Sequence, residues 1–175
     1  ELKRENESHA AQVAALLARA FPHSYADCAG EEVETCLGEG KIALVALEGD
    51  EVIGFVGAMP QYGFTGWELH PLVVDEKRRA RGVGRALCAE LERRLREKGC
   101  LTVYLGTDDE FDKTSLSNTD LFEDTYGKIE RVCNLGGHPY EFYQKIGYRI
   151  VGVIPDANGL GKPDIYMAKS LARGG

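Results

Sequence analysis

The chain has 175 residues, of which 43% are apolar and 28% charged, with a formal net charge of −7. That length suits one domain with a single core, the composition is that of a soluble globular protein, and the charge argues against nucleic acid as the main partner. No apolar run is long enough to span a membrane, and no signal peptide is visible, although the sequence opens at Glu1 rather than methionine, so a cytoplasmic setting is expected.

Five cysteines, Cys28, Cys36, Cys88, Cys100 and Cys133, are odd in number and lack Cys-x-x-Cys spacing. Reduced thiols are expected, and no metal. The charge is unevenly distributed. Basic residues crowd into 77–98, whereas 108–124 holds Asp108, Asp109, Glu110, Asp112, Asp120, Glu123 and Asp124 against Lys113 alone. An anionic ligand beside the first stretch and a cationic one beside the second would each find a partner.

In chain order, residues 1–3 read as the tail of a first strand. Ser8 is an N-cap candidate for a helix carrying Val13, Leu16, Leu17 and Phe21 on one stripe and closed by Pro22. A second short helix spans 31–37. Residues 41–47 and 52–59 are apolar runs of strand length joined by Glu48-Gly49-Asp50-Glu51, a hairpin signal, and Gly54 and Gly57 suggest a bulge or a close backbone approach. Residues 60–63 form a loop. Residues 67–70 alternate, with Trp67 and Leu69 on one side and Glu68 and His70 on the other. Pro71 interrupts this strand before Leu72, Val73 and Val74 resume it. A long amphipathic helix follows, with Val83, Leu87, Leu91 and Leu95 four apart and Gly99 as its left-handed cap. Residues 101–105 form a further strand, expected to run parallel through a right-handed crossover. The acidic stretch 106–137 holds a short helix around 120–132. Residues 138–146 form a helix with Pro139 in its first turn, and strands at 148–153 and 164–171 close the chain. The sum is a mixed sheet covered by helices.

The turn between strand and long helix carries chemistry. Gly82 and Gly84 allow close backbone approach, the first helical N–H groups lack internal partners, and Arg79, Arg81 and Arg85 flank them, which suits a diphosphate. The dinucleotide-binding fingerprint fits worse, because there is no Gly-x-Gly-x-x-Gly and the acidic Asp75 precedes the turn. The spacing Arg79-x-x-Gly82-x-Gly84 resembles the acyl-CoA signature of the GNAT N-acetyltransferase superfamily. Phe142-Tyr143-Gln144-Lys145-Ile146-Gly147-Tyr148 resembles a second element of that superfamily. The strings Pro60-Gln61-Tyr62-Gly63, 66–74, 104–109, 138–143 and 150–165 resemble the chromosomal aminoglycoside 6′-N-acetyltransferases of Gram-positive bacteria. Gly136 and Pro139 stand where the wider superfamily often has Asn and Ala, with Asn134 nearby.

The resemblance implies a GNAT fold in a single domain over 1–175, of α/β (α+β) class. Its mostly antiparallel central sheet would be splayed at the middle strands and flanked by helices. It implies acetyl transfer from acetyl-CoA to the 6′ amine of an aminoglycoside, and a homodimer. Backbone groups of Leu72 and Val74 would pair with pantetheine, and N–H groups of Arg81, Gly82, Val83, Gly84 and Arg85 would hold the diphosphate. Tyr143 would reach the CoA sulfur. Glu68, His70, Leu72 and Tyr62 would meet the acceptor. Each role has an alternative: Glu68 is base or anionic anchor, His70 base or loop support, Tyr143 proton donor or packing, and Asp108 and Asp109 hold antibiotic amines or cap a loop. No Cys or Ser has the setting of a nucleophile, so direct attack of the amine on the thioester is expected. Two rival readings are an N-acetyltransferase acting on polyamine or protein amino groups, and a non-catalytic acyl-CoA-binding module.

Overall fold

Val13, Leu16 and Leu17 recur at helical spacing. In a computed structural model describing residues 1–173 they form the buried stripe of α1 (Glu7–Ala20). The helix begins one residue before Ser8, with Asn6 in the capping position. The Asn6 side chain turns back to accept the Lys3 N–H at 3.1 Å instead of capping the helix, and Glu7 places its charge at the positive helix end. Residues 1–3 are not a strand, although the Leu2 N–H donates to the Ala43 carbonyl at 2.9 Å and its side chain is buried. Pro22 ends α1 by opening a separate turn, α2 (Pro22–Tyr25), as proline does at a first helical position. α3 (Ala29–Cys36) follows and buries Ala29, Val33 and Cys36.

The described residues cluster into two units, divided after Val103. In the first, β1 (Ile42–Glu48), β2 (Glu51–Tyr62) and β3 (Gly66–Val74) pair antiparallel, in that order. β2 runs three residues further than its apolar pattern indicates. Pro60, expected in a loop, lies opposite Trp67 at a register shift, a place where a missing N–H is tolerated. β3 continues through Pro71, with the His70–Pro71 peptide cis. Val56 faces Leu72 while Ala58 faces Leu69, so β3 carries one extra residue opposite Gly57. A side chain at Gly57 would put its Cβ 2.5 Å from the His70 carbonyl oxygen, which is why glycine stands there. A 3₁₀ turn (Glu76–Arg78) leads to α4 (Val83–Glu97), whose Leu87, Leu91 and Leu95 are buried and which ends at Gly99 with φ +80°. Phe55, Val56, Trp67 and Val73 are buried in the same unit, and the Trp67 indole N–H donates to the Phe64 carbonyl.

The second unit contains most of β4 (Thr102–Asp108, whose first two residues precede the division), α5 (Thr125–Glu130), α6 (Tyr140–Lys145), β5 (Arg149–Ile154) and β6 (Asp164–Ser170). β6 lies between β4 and β5 and is antiparallel to β5. Both helices are shorter than their sequence pattern suggests. Asp124, with φ +48°, is the residue from which α5 starts, and residues 138–139 form the approach to α6. Leu105, Leu116, Tyr148, Ile165 and Met167 make the buried centre. The six strands, mostly antiparallel and flanked by helices, are the mixed α/β class expected. Among the described residues no helix is long and apolar enough to cross a membrane.

Candidate active site

Alternation along β3 sorts its side chains. Trp67, Leu69, Pro71 and Val73 are buried, whereas Glu68, His70, Leu72 and Val74 are partly or wholly open. The backbone alternates too. The Asp75 N–H donates to the Ile53 carbonyl of β2 at 2.9 Å, so the polar groups of Leu72 and Val74, an odd number of residues away, point away from β2. The Val74 carbonyl already receives the Arg79 Nε at 3.4 Å. Backbone amides turned this way are what an extended amide chain such as pantetheine needs.

The two polar side chains on this face are both held from outside the strand. Glu68 Oε2 accepts from Gln61 Nε2 at 2.7 Å. Gln61 is the diagonal neighbour of Glu68, two residues beyond its direct partner Met59, so the hairpin register explains a contact that the sequence alone does not reveal. His70 Nε2 lies 2.9 Å from the Tyr25 hydroxyl and 3.8 Å from Glu32 Oε1. Tyr62 stands 72% exposed at the turn joining β2 to β3.

The loop after β3 separates structural from available arginines. Arg78 is tied to Glu48 at 2.8 Å and Glu51 at 2.7 Å, which anchors the 3₁₀ turn to the β1–β2 hairpin. Asp75 Oδ1 accepts the Lys77 N–H at 3.0 Å. Arg93 and Arg94 pair with Glu90, which holds the Glu90 carboxyl down at about 2. Arg79, Arg81 and Arg85 remain exposed at the loop. Ala80 and Gly82 adopt φ +62° and +85°. Left-handed residues alternating with ordinary ones curl successive N–H groups into one concavity, and the unpaired N–H groups opening α4 add to it. Such a concavity could cradle an anion, with the backbone N–H groups of Arg81, Gly82, Val83, Gly84 and Arg85 as its donors.

In the second unit Tyr143 lies on α6, buried, its ring edge-on to Phe142 and Tyr148 at centroid distances of 5.1 and 5.7 Å. Asp108 is exposed and its Oδ1 accepts from Asn158 Nδ2 at 2.6 Å. Asp109 is different. Its carboxylate is wholly buried and accepts from the Lys113 N–H, the Thr114 N–H and the Ser117 hydroxyl at 2.7, 2.8 and 2.6 Å. Burial would raise its pKa, but these donors outweigh that and leave it lowered. Of the two roles open to Asp109, these loop contacts fit capping, since three donors from its own loop hold the buried carboxylate. His138 and Asn134 support the same loop system and carry no sequence signal beyond their residue type. The His138 N–H donates to Asn134 Oδ1 at 2.8 Å, and Asn134 Nδ2 donates to the His138 carbonyl at 2.9 Å. His138 Nδ1 accepts the Tyr140 N–H at 3.2 Å, which leaves Nε2 to donate to the Asp108 carbonyl at 3.1 Å. Burial is the main reason its pKa is lowered.

Burial pushes the Cys36 thiol up to about 12, with Glu32 adding to the effect, so it is no nucleophile at neutral pH. Among the described residues no group of three or more His, Cys, Asp or Glu is arranged to hold a metal ion.

Residues 10–117 match the model of the acetyltransferase (GNAT) family. No protein with a curated description matches the chain. Among solved structures, an aminoglycoside 6′-N-acetyltransferase complexed with coenzyme A is 48% identical, with 100% of this chain and 97% of that one covered and a TM-score of 0.97. The aminoglycoside 6′-N-acetyltransferase from Enterococcus faecium is also 48% identical over the same shares, with a TM-score of 0.94. An aminoglycoside 6′-acetyltransferase type Ii is 42% identical over the same shares, with a TM-score of 0.79. With the family model matched over residues 10–117 and solved relatives 42–48% identical over its whole length, the chain belongs to the acetyltransferase (GNAT) family.

Proposed function

We propose that the protein transfers the acetyl group of acetyl-CoA to the 6′ amine of aminoglycosides, acting as a single domain in the cytoplasm and as a homodimer. The observation that carries the reading is likeness over the entire chain, at 42–48% identity, to enzymes bearing that activity. The geometry supports it independently. The cradle at 81–85 takes the diphosphate, with Arg79, Arg81 and Arg85 around it, and the outward amides of Leu72 and Val74 take the pantetheine.

The 6′ amine arrives mostly as ammonium and must lose a proton before it can attack. Glu68, held by Gln61, anchors that ammonium, and with His70 it supplies acceptors for the proton. The nitrogen lone pair then adds to the thioester carbon, and the oxyanion is stabilised by the Leu72 N–H. The attached nitrogen sheds its extra proton to water as collapse breaks the carbon–sulfur bond, and Tyr143 protonates or hydrogen-bonds the departing thiolate. Tyr62 and Asp108 contact the sugars and amines of the antibiotic. A panel of acceptors, comprising kanamycin-type aminoglycosides, polyamines and peptides with free amino termini, assayed by release of the CoA thiol, tests the assignment. Aminoglycosides are expected to turn over at least tenfold better in kcat/KM than the other two classes. A preference for polyamine or peptide would replace this reading, and release with no acceptor class would remove it.

A further inference from the structure

His70 is gripped at one ring nitrogen by two residues from two different helices. Tyr25 closes α2, and its hydroxyl is 2.9 Å from His70 Nε2. Glu32 lies on α3, and its Oε1 is 3.8 Å from the same nitrogen. The Glu32 side chain is mostly covered, at 19% exposure, whereas that of His70 is 46% exposed. The grip is itself supported. Tyr25 packs edge-on against Phe21 at 6.0 Å, the Cys36 thiol donates to Glu32 Oε1 at 3.4 Å, and the same thiol approaches the His70 carbonyl at 3.8 Å. None of Tyr25, Glu32 and Cys36 stands out in the sequence as part of a site.

A tyrosine hydroxyl can donate to a ring nitrogen or accept from it, so Tyr25 alone leaves the His70 tautomer open. Glu32 decides it. A carboxylate facing Nε2 repels a lone pair there and attracts an N–H. The proton therefore sits on Nε2, Tyr25 acts as acceptor, and the lone pair is left on Nδ1. We propose that Tyr25 and Glu32 are positioning residues that hold His70 as its Nε2–H tautomer and so make Nδ1 the basic nitrogen offered to the acceptor amine. The proposal rests on the acetyl-transfer reading for its purpose. In the step it serves, Nδ1 takes one proton from the substrate ammonium, leaving a neutral amine and an imidazolium whose Nε2–H is still bound between Tyr25 and Glu32. That charge then faces Glu32, and water removes the proton after transfer.

Nitrogen-15 spectra of histidine-labelled protein test this without substrate. The chain has four histidines, and the His70 signals are those lost in His70→Gln. With the imidazole neutral, Nε2 is expected at the position of a protonated nitrogen and Nδ1 at that of an unprotonated one. Glu32→Gln and Tyr25→Phe should each move both signals toward the averaged positions of mixed tautomers, while the buried His138 signals stay in place and report an intact fold. A wild-type spectrum with the proton on Nδ1, or variants that leave both His70 signals unmoved, would overturn the proposal. In the transfer assay Glu32→Gln should lower kcat roughly tenfold, within the range of a general base, and leave the acetyl-CoA KM unchanged. An unaltered kcat overturns it as well. Because the spectra need no acceptor, failure to acetylate any aminoglycoside would count against the function alone.

Discussion

Glu68 is where anchoring and proton removal meet, and one substitution separates them. Glu68→Gln keeps the shape and a contact to Gln61, 2.7 Å away in the native hydrogen bond, but removes the charge. A hydrogen bond to a charged group contributes about 1.5–3 kcal/mol, so the aminoglycoside KM should rise roughly tenfold or more. The fall in kcat should be smaller, because His70 and water remain as acceptors. Steady-state kinetics with the acetyl-CoA concentration saturating would check both parts, and unchanged kcat and KM would remove Glu68 from the site. Glu68 and His70 were legible in the sequence because alternation around Trp67 and Leu69 puts them on one face. Their partners were not. Tyr25 lies 45 positions from His70, and nothing local in a chain marks which distant side chain will fold against a given ring. Asp109 shows the opposite case. Its position just past a strand suggested a ligand contact, but its four- to eight-residue links to Lys113, Thr114 and Ser117 turn the carboxylate inward to organise its own loop.

At the scale of elements, the passage from β3 to α4 carries the proposed diphosphate site. The helix itself was read correctly from sequence because each signal there is local. Four-residue spacing places Leu87, Leu91 and Leu95 in the core, and the glycines at 82 and 99 take the left-handed conformations that other residues resist. Gly82 has open space around the site of a side chain, so steric overlap is not what forbids substitution. The backbone is. A β-branched residue at φ +85° is strained, and relief of that strain would turn the N–H groups of the cradle outward. Gly82→Val should therefore raise the acetyl-CoA KM at least tenfold, with the thermal midpoint lowered by a few degrees. Calorimetric titration of acetyl-CoA would measure the loss directly, and native affinity in a folded variant would dissolve the diphosphate assignment. Element ends were less accurately read than element cores. Asn6, Pro22 and Pro60 show why, since a capping or breaking residue can serve either side of a boundary, and its hydrogen bonds decide which.

For the whole molecule, two buried groups set different acid limits. His138 is held neutral by burial and by accepting the Tyr140 N–H, so its folded pKa lies below the ordinary 6.5. Between those two values the unfolded chain binds more protons than the folded one, and stability must fall as pH drops below about 6.5. Asp109 has its pKa lowered from 3.8, so its contribution is lost only at more acid pH. Thermal melts from pH 8 to 4 should show a decline beginning near 6.5 that is absent in His138→Gln, even though that variant is less stable at neutral pH. A wild-type midpoint flat to pH 5 would contradict the role given to His138. The central claim concerns chemistry at one nitrogen, and it is tested most directly by the product. Kanamycin incubated with the protein and acetyl-CoA should yield a single monoacetylated species, with the new amide on the 6′ nitrogen by NMR. Acetylation at another amine, or none at all with acetyl-CoA bound, would contradict it.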